Sequence, residues 1–253
     1  FETVPLVFMI HGLGGEGRDY YNFSSRAEDS CFMVVFPSGL FNTWNAGPSM
    51  PYAHEIDDNG YFDALIDNIE SNYPLDTNRV YLTGHSMGGF MASHLNCTST
   101  SFTAYGGSGG GITHGYYQGN EYEDLCKIEN GTYPNPMIIS HGTSDQVVPY
   151  EWAIFNLYHF KLLNNCSDNV PWPYDYPWPD FNDTGDFWDD PEDDLNDIED
   201  LVFSNADTLE YNGIIQRYQW SDGCLGGSPA LEAIILPAEQ HAWHQTWNSA
   251  INT

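Results

Sequence analysis

Arg79-Val80-Tyr81-Leu82-Thr83-Gly84-His85-Ser86-Met87-Gly88-Gly89-Phe90-Met91-Ala92-Ser93-His94-Leu95 is the stretch whose reading decides the fold. Arg79–Thr83 is a short run of aliphatic, aromatic and β-branched residues and reads as a buried strand, and Met87–Leu95 reads as a helix. Between them lies a Gly-X-Ser-X-Gly turn, Gly84 to Gly88. Glycines flank the serine because a sharp strand-to-helix bend leaves no space for side chains and strains the serine backbone. The bend lifts the Ser86 hydroxyl above the sheet edge and aims the Met87 N–H at the place where an oxyanion would form.

Outward from this bend, short apolar runs alternate with helix-like segments, the pattern of a mainly parallel sheet covered by helices on both faces. The expected strands are Leu6–Ile10, Cys31–Phe36, Arg79–Thr83, Phe102–Tyr105, Met137–Ser140 and Leu231–Leu236. Asp57–Asn72, stopped by Pro74, and Tyr150–Leu163 are expected helices, the first with Phe62, Leu65, Ile66 and Ile69 at helical spacing. A chain of 253 residues suits one α/β domain, 1–253, with a substantial core. Residues 168–200 break the pattern with 13 Asp/Glu, no Lys or Arg and a Pro/Trp/Tyr cluster, and read as an acidic surface insertion.

Nucleophilic catalysis by a serine needs a base and an acid on later strand ends, in the order serine, acid, histidine. Met137-Ile138-Ile139-Ser140-His141-Gly142-Thr143-Ser144-Asp145 supplies Asp145, and the segment from Ile234 to His241 supplies the histidine. A neutral His241 would take the Ser86 proton while Asp145 holds its tautomer. Asp145 also suits a helix cap, and His244 is a rival for His241. Gly106-Gly107-Ser108-Gly109-Gly110 matches the serine pattern literally, but the Gly111-Ile112-Thr113-His114-Gly115 that follows cannot easily start a helix. Ser108 is therefore expected at the end of the next strand, near the pocket floor. His11-Gly12-Leu13-Gly14-Gly15, directly after the first strand, is expected to give a second oxyanion donor, the Leu13 N–H, opposite Met87.

The chain carries 36 acidic against 6 basic residues, a formal charge of −30, which argues against nucleic acid and against anionic membranes as partners. No apolar run reaches the ~18 residues of a membrane span. Five cysteines and sequons at Asn22, Asn96, Asn130, Asn165 and Asn182 point to an oxidising, extracellular setting. No Cys-X-X-Cys spacing exists, so a zinc or redox site is not expected; disulfides with one cysteine left over are. The chain begins Phe1-Glu2-Thr3 with no start methionine or leader pattern, as expected for a mature or trimmed product.

The chain resembles the secreted esterases grouped as polyhydroxybutyrate depolymerase and feruloyl esterase-like proteins, relatives of acetylxylan esterases. The resemblance rests on Pro5–Gly12, Val34–Gly39, Trp44–Gly47, Asp57–Phe62, Asn78–Gly84 and His141–Asp145, within 5–166 and again 211–247. It implies an α/β-hydrolase fold, hydrolysis of carboxylic esters through an acyl-enzyme on Ser86, no cofactor and no metal. It also implies disulfides Cys97–Cys126 and Cys166–Cys224, with Cys31 a free, buried thiol; each bridge would contribute about 2–4 kcal/mol. Strands that such esterases carry before the His-Gly strand, and a helix after Trp247, have no counterpart here, so a fragment or minimal version is expected. His241-Ala242-Trp243-His244 stands where they show His-X-Trp-Pro.

Trp44 and Trp243 are candidate walls of the acyl pocket, with a place in the core an equal reading for Trp44. Trp172 and Trp178 either form a sugar platform or pin the acidic loop. Asp180–Asp186 resembles the start of a calcium loop, but its twelfth position is Pro191 where a glutamate is needed, so an unliganded loop is expected. The expected substrate is a feruloyl or acetyl ester on polysaccharide, acted on by a monomer. A polyester is the alternative, and a catalytically silent carbohydrate-binding glycoprotein the alternative of another class.

Overall fold

The computed structural model describes residues 2–47, 56–112, 116–117, 120–121, 136–164, 202–203, 206–211, 215–220 and 231–241. Its strands are β1 (Val4–Ile10), β2 (Met33–Val35), β3 (Leu75–His85), β4 (Ala104–Ser108), the two-residue pair β5 (Tyr116–Tyr117) and β6 (Asn120–Glu121), β7 (Met137–Gly142), β8 (Asp207–Tyr211), β9 (Gln216–Trp220) and β10 (Leu231–Leu236). The helices are α1 (Ser24–Ser30), α2 (Asp58–Asn72), α3 (Met87–Thr98) and α4 (Glu151–Leu163).

Eight strands form one sheet in the order β2-β1-β3-β4-β7-β10-β9-β8. The pairings from β2 through to β10 are parallel, and β9 and β8 add an antiparallel edge. The mostly parallel α/β sheet expected from the alternating pattern is therefore present. Its covered face carries Leu6, Phe8, Ile10, Val80, Leu82, Tyr105, Met137 and Ile139, all buried with Phe62 of α2, Met91 of α3 and Leu157 of α4. Fully burying side chains of this size contributes about 1.5–3 kcal/mol each. Asp57 caps α2, its Oδ1 accepting from the Gly60 N–H at 2.8 Å, which explains why the helix starts where the sequence placed it.

The opposite face is more open. Val7, Tyr81, Thr83, Ala104 and Ile138 line a cavity of about 470 Å³ beside Arg26 of α1. Helices lie on both faces, as expected, but among the described residues α1 covers only part of this one.

Several boundaries differ from the sequence reading. β4 runs to Ser108, past the expected end at Tyr105, although Gly106 and Gly107 are poor strand formers. Pairing on both sides with β3 and β7 overrides that preference, and the missing side chains let α3 approach, since a Cβ on Gly107 would lie 3.4 Å from the Gly89 oxygen. β2 is only Met33–Val35, because Cys31 takes a left-handed conformation (φ 57°) that ends α1. Cys31 is free, as expected, but exposed and not buried: it caps a surface helix outside the strand. β8 and β9 were not expected at all. Cys97 is disulfide-bonded; Cys126, Cys166, Cys224, the insertion 168–200 with Trp172, Trp178 and the calcium-like loop, and Trp243 and His244 lie outside the described residues. The sequon at Asn96 sits inside α3 with its asparagine buried, which closes it to glycosylation in the folded chain.

Candidate active site

The site lies at the carboxyl ends of the parallel strands, where α/β sheets place their ligands. Ser86 sits between β3 and α3 with φ 56° and ψ −122°, a backbone state that costs a non-glycine residue about 1–3 kcal/mol. Packing forces it. A Cβ on Gly88 would lie 2.5 Å from the Ile10 oxygen, and one on Gly84 would collide with the Gly88 carbonyl. The Ser86 N–H donates to the Ser108 oxygen at 2.8 Å, and the Ser86 oxygen accepts from the N–H groups of Gly89 and Phe90. Ser108 is thus the last residue of β4 and a backbone brace for Ser86.

Asp145 follows β7 and is buried. Its two oxygens divide the work. Oδ1 accepts from the N–H groups of Val147 and Val148, both at 2.9 Å, so the capping geometry exists; Oδ2 faces His241 Nδ1 at 2.7 Å. The loops that carry the pair are tied together: Thr143 N–H donates to Leu236 O, Ser144 N–H to Glu239 O, and Ala238 N–H to Thr143 Oγ1. Burial alone would raise the Asp145 carboxyl, but hydrogen bonds from His141 and His241, then from Val148 and Val147, outweigh it and hold the group well below the usual carboxylate range. With Nδ1 of His241 on the acid, its Nε2 is left to face the cleft shared with Ser86.

Ser86 and His241 line one open cleft of about 260 Å³, together with His85, Leu13, Asp19 and Tyr20. The His85 ring packs against His241 with centroids 4.7 Å apart. Gly109 passes beside both: its φ is 54°, and a Cβ there would lie 3.3 Å from His241 Nδ1. Tyr20 was not singled out from sequence; burial raises its phenol, opposed by a hydrogen bond with the Gly12 backbone.

The first loop is built from beneath. His11 is fully buried; its Nδ1 lies 2.7 Å from Gly12 O and its Nε2 accepts from the Gly39 N–H at 3.0 Å. That places the proton on Nδ1, and burial lowers the group's pKa, more than the Gly12 hydrogen bond raises it. Trp44 Nε1 donates to His11 O at 2.9 Å, and the indole stacks on Phe62. Trp44 is fully buried, so of its two readings, pocket wall or core, it takes the second and underpins this loop. The physical reason is the indole N–H, which finds its partner inside. Met87 is pinned as well, its sulfur accepting from Thr43 Oγ1 at 2.8 Å. Among the described residues, no backbone carbonyl takes up the N–H of Leu13 or of Met87.

No family profile matches the chain. It is 30% identical over 174 residues to a probable feruloyl esterase C of Aspergillus terreus, a match covering 64% of this chain and 56% of that one. It is 24% identical over 179 residues to a bifunctional acetylxylan esterase/xylanase of Neocallimastix patriciarum, covering 68% and 24%. An acetyl xylan esterase from Aspergillus awamori superposes with a TM-score of 0.63 at 14% identity, over 99% of this chain and 88% of that one. The chain has the α/β-hydrolase fold and is related to feruloyl and acetylxylan esterases. A second esterase, PE8, shares the fold with a TM-score of 0.52 at 16% identity, over 97% of this chain and 88% of that one. The match spans little more than half the length of the feruloyl esterase, at 56%, and a quarter of the bifunctional enzyme, at 24%.

Proposed function

We propose that this α/β-hydrolase chain is a secreted serine carboxylic-ester hydrolase acting on feruloyl or acetyl esters of polysaccharide, as one catalytic domain. The observation that carries the reading is the 2.7 Å contact between Asp145 Oδ2 and His241 Nδ1, with His241 and Ser86 lining the same cleft. In the proposed reaction Ser86 Oγ attacks the ester carbonyl while His241 Nε2 takes its proton. His241 then returns the proton to the departing alcohol, leaving an acyl-Ser86. A water, deprotonated by His241, releases the acid and restores the serine. The N–H groups of Leu13 and Met87, which no backbone carbonyl takes up among the described residues, suit the tetrahedral oxyanion, each contributing about 2.7–4 kcal/mol to barrier lowering. The buried Asp145 anion would stabilise the imidazolium formed in both steps.

The substrate class leans on the named relatives, which are feruloyl and acetylxylan esterases. The sequons and cysteines support secretion. Release of product from methyl ferulate, acetylated xylan and polyhydroxybutyrate, measured side by side, tests the reading. Faster release of ferulate or acetate is expected. Preferential release of hydroxybutyrate would move the assignment to a polyester depolymerase. No release from any of them, with Ser86→Ala indistinguishable from wild type, would leave a silent binding protein.

A further inference from the structure

Two histidines converge on one oxygen of Asp145. His241 Nδ1 lies 2.7 Å from Oδ2, and His141 Nε2 lies 3.4 Å from the same atom. His141 is the penultimate residue of β7, four residues before the acid, is 1% exposed, and points its Nε2 at Val148 O at 2.8 Å. A carbonyl can only accept, so Nε2 carries the proton. Its Nδ1 meets no hydrogen-bond partner among the described residues, which leaves Nε2 as the atom that holds the ring.

The contacts form a closed circuit. The Val147 and Val148 N–H groups hold Oδ1 at 2.9 Å, Val148 O is held by His141, and the Asp145 N–H donates back to Gly142 O at 3.3 Å. The turn that carries the acid is therefore tied to the strand that precedes it by a side chain that never touches the cleft. His141 is not among the residues lining the cleft with Ser86 and His241, so a direct role with substrate has no support.

We propose that His141 is a positioning residue for the acid: its Nε2–H locks the Asp145–Val148 turn through Val148 O and flanks Oδ2, fixing the carboxylate on His241 Nδ1. This rests on the ester-hydrolase reading given above. Without the lock, Asp145 keeps its Oδ1 bonds but can rotate or withdraw Oδ2, and His241 loses its fixed tautomer. The loss falls on turnover, because the cleft that receives the ester is untouched.

Hydrolysis of 4-nitrophenyl acetate by wild type, Ser86→Ala, His141→Gln and His141→Asn tests this. A glutamine amide reaches the Nε2 position and an asparagine amide reaches only the Nδ1 position. His141→Gln should keep kcat within about threefold, and His141→Asn should lower it about ten- to a hundredfold with KM unchanged, the worth of the hydrogen bond from His241 to the charged Asp145 carboxylate that the lock keeps in place. An Asn variant that is folded by circular dichroism and turns over like wild type overturns the proposal, as does a Gln variant no better than Asn. If Ser86→Ala retains turnover, the ester-hydrolase reading falls and takes this inference with it. If Ser86→Ala is dead and the His141 variants are unaffected, only the positioning role falls. Should His141→Asn not fold, nitrogen NMR of the wild type decides: a proton on His141 Nε2 supports the lock, and one on Nδ1 overturns it.

Discussion

The bend at Ser86 and the turn at Asp145 hold their functional side chains by opposite means. Ser86 is fixed by its backbone: a positive φ of 56°, enforced because Gly84 and Gly88 leave no volume for another conformation. Asp145 is fixed through its side chain, by two backbone N–H groups on one oxygen and two histidines on the other. Crowding writes itself into sequence as glycine spacing. Hydrogen bonding between loops that are 96 residues apart does not.

The difference predicts how each region fails. Ser86→Ala removes the proposed nucleophile and should lower kcat at least about ten-thousandfold, read with a chromogenic ester. Asp145→Asn should keep the fold, since Oδ1 can still accept from Val147 and Val148, yet lower kcat about a thousand- to ten-thousandfold. Gly88→Ala should do the reverse, acting first on stability. Its Cβ meets backbone oxygens of Ile10 and His11 at 2.5 and 2.8 Å, and a loss of about 3 kcal/mol is expected in urea unfolding. A Gly88→Ala variant as stable as wild type would break the comparison.

Acid separates the regions too. Near the bend, burial lowers His11 and brings His94 of α3 down to about 4. A histidine whose folded pKa is depressed gives stability above its unfolded value, and that stability is lost as pH falls toward the folded value. For His94 the window runs from about 6.5 down to about 4. The depressed Asp145 gives stability above its unfolded pKa of about 3.9, lost only as pH falls below that. Melting temperature should therefore drop first between about pH 6.5 and 4, and His94→Gln should flatten that slope while leaving the steeper loss below it. The smallest effect is expected at the exposed Arg18–Glu16 pair, 2.8 Å apart with side chains 69% and 38% exposed, where Arg18→Met should cost about 0.5 kcal/mol or less.

Much of this was legible beforehand. Short apolar runs located the parallel strands, Asp57 and Pro74 bracketed α2, and the helix-forming stretch after Met87, which the glycines after Ser108 lack, separates the two Gly-X-Ser-X-Gly turns. What escaped detection depends on distant partners. β8 and β9 are polar strands at the antiparallel end of the sheet, and pairing, not composition, defines them. Trp44 suits a pocket wall or the core equally from sequence, and only its indole N–H, which donates to His11 O in the interior, decides for the core. His11 and His141 were quoted only as parts of motifs, since nothing along the chain shows that one supports the first loop and the other braces the acid.

The most direct test of the account is covalent labelling of the native chain with an organophosphonofluoridate, followed by peptide mapping. Attack by an activated serine oxygen expels fluoride and leaves one phosphonyl group. The account predicts a single adduct on Ser86, lost in His241→Ala. An adduct on Ser108, or full ester turnover with no adduct on Ser86, would contradict it.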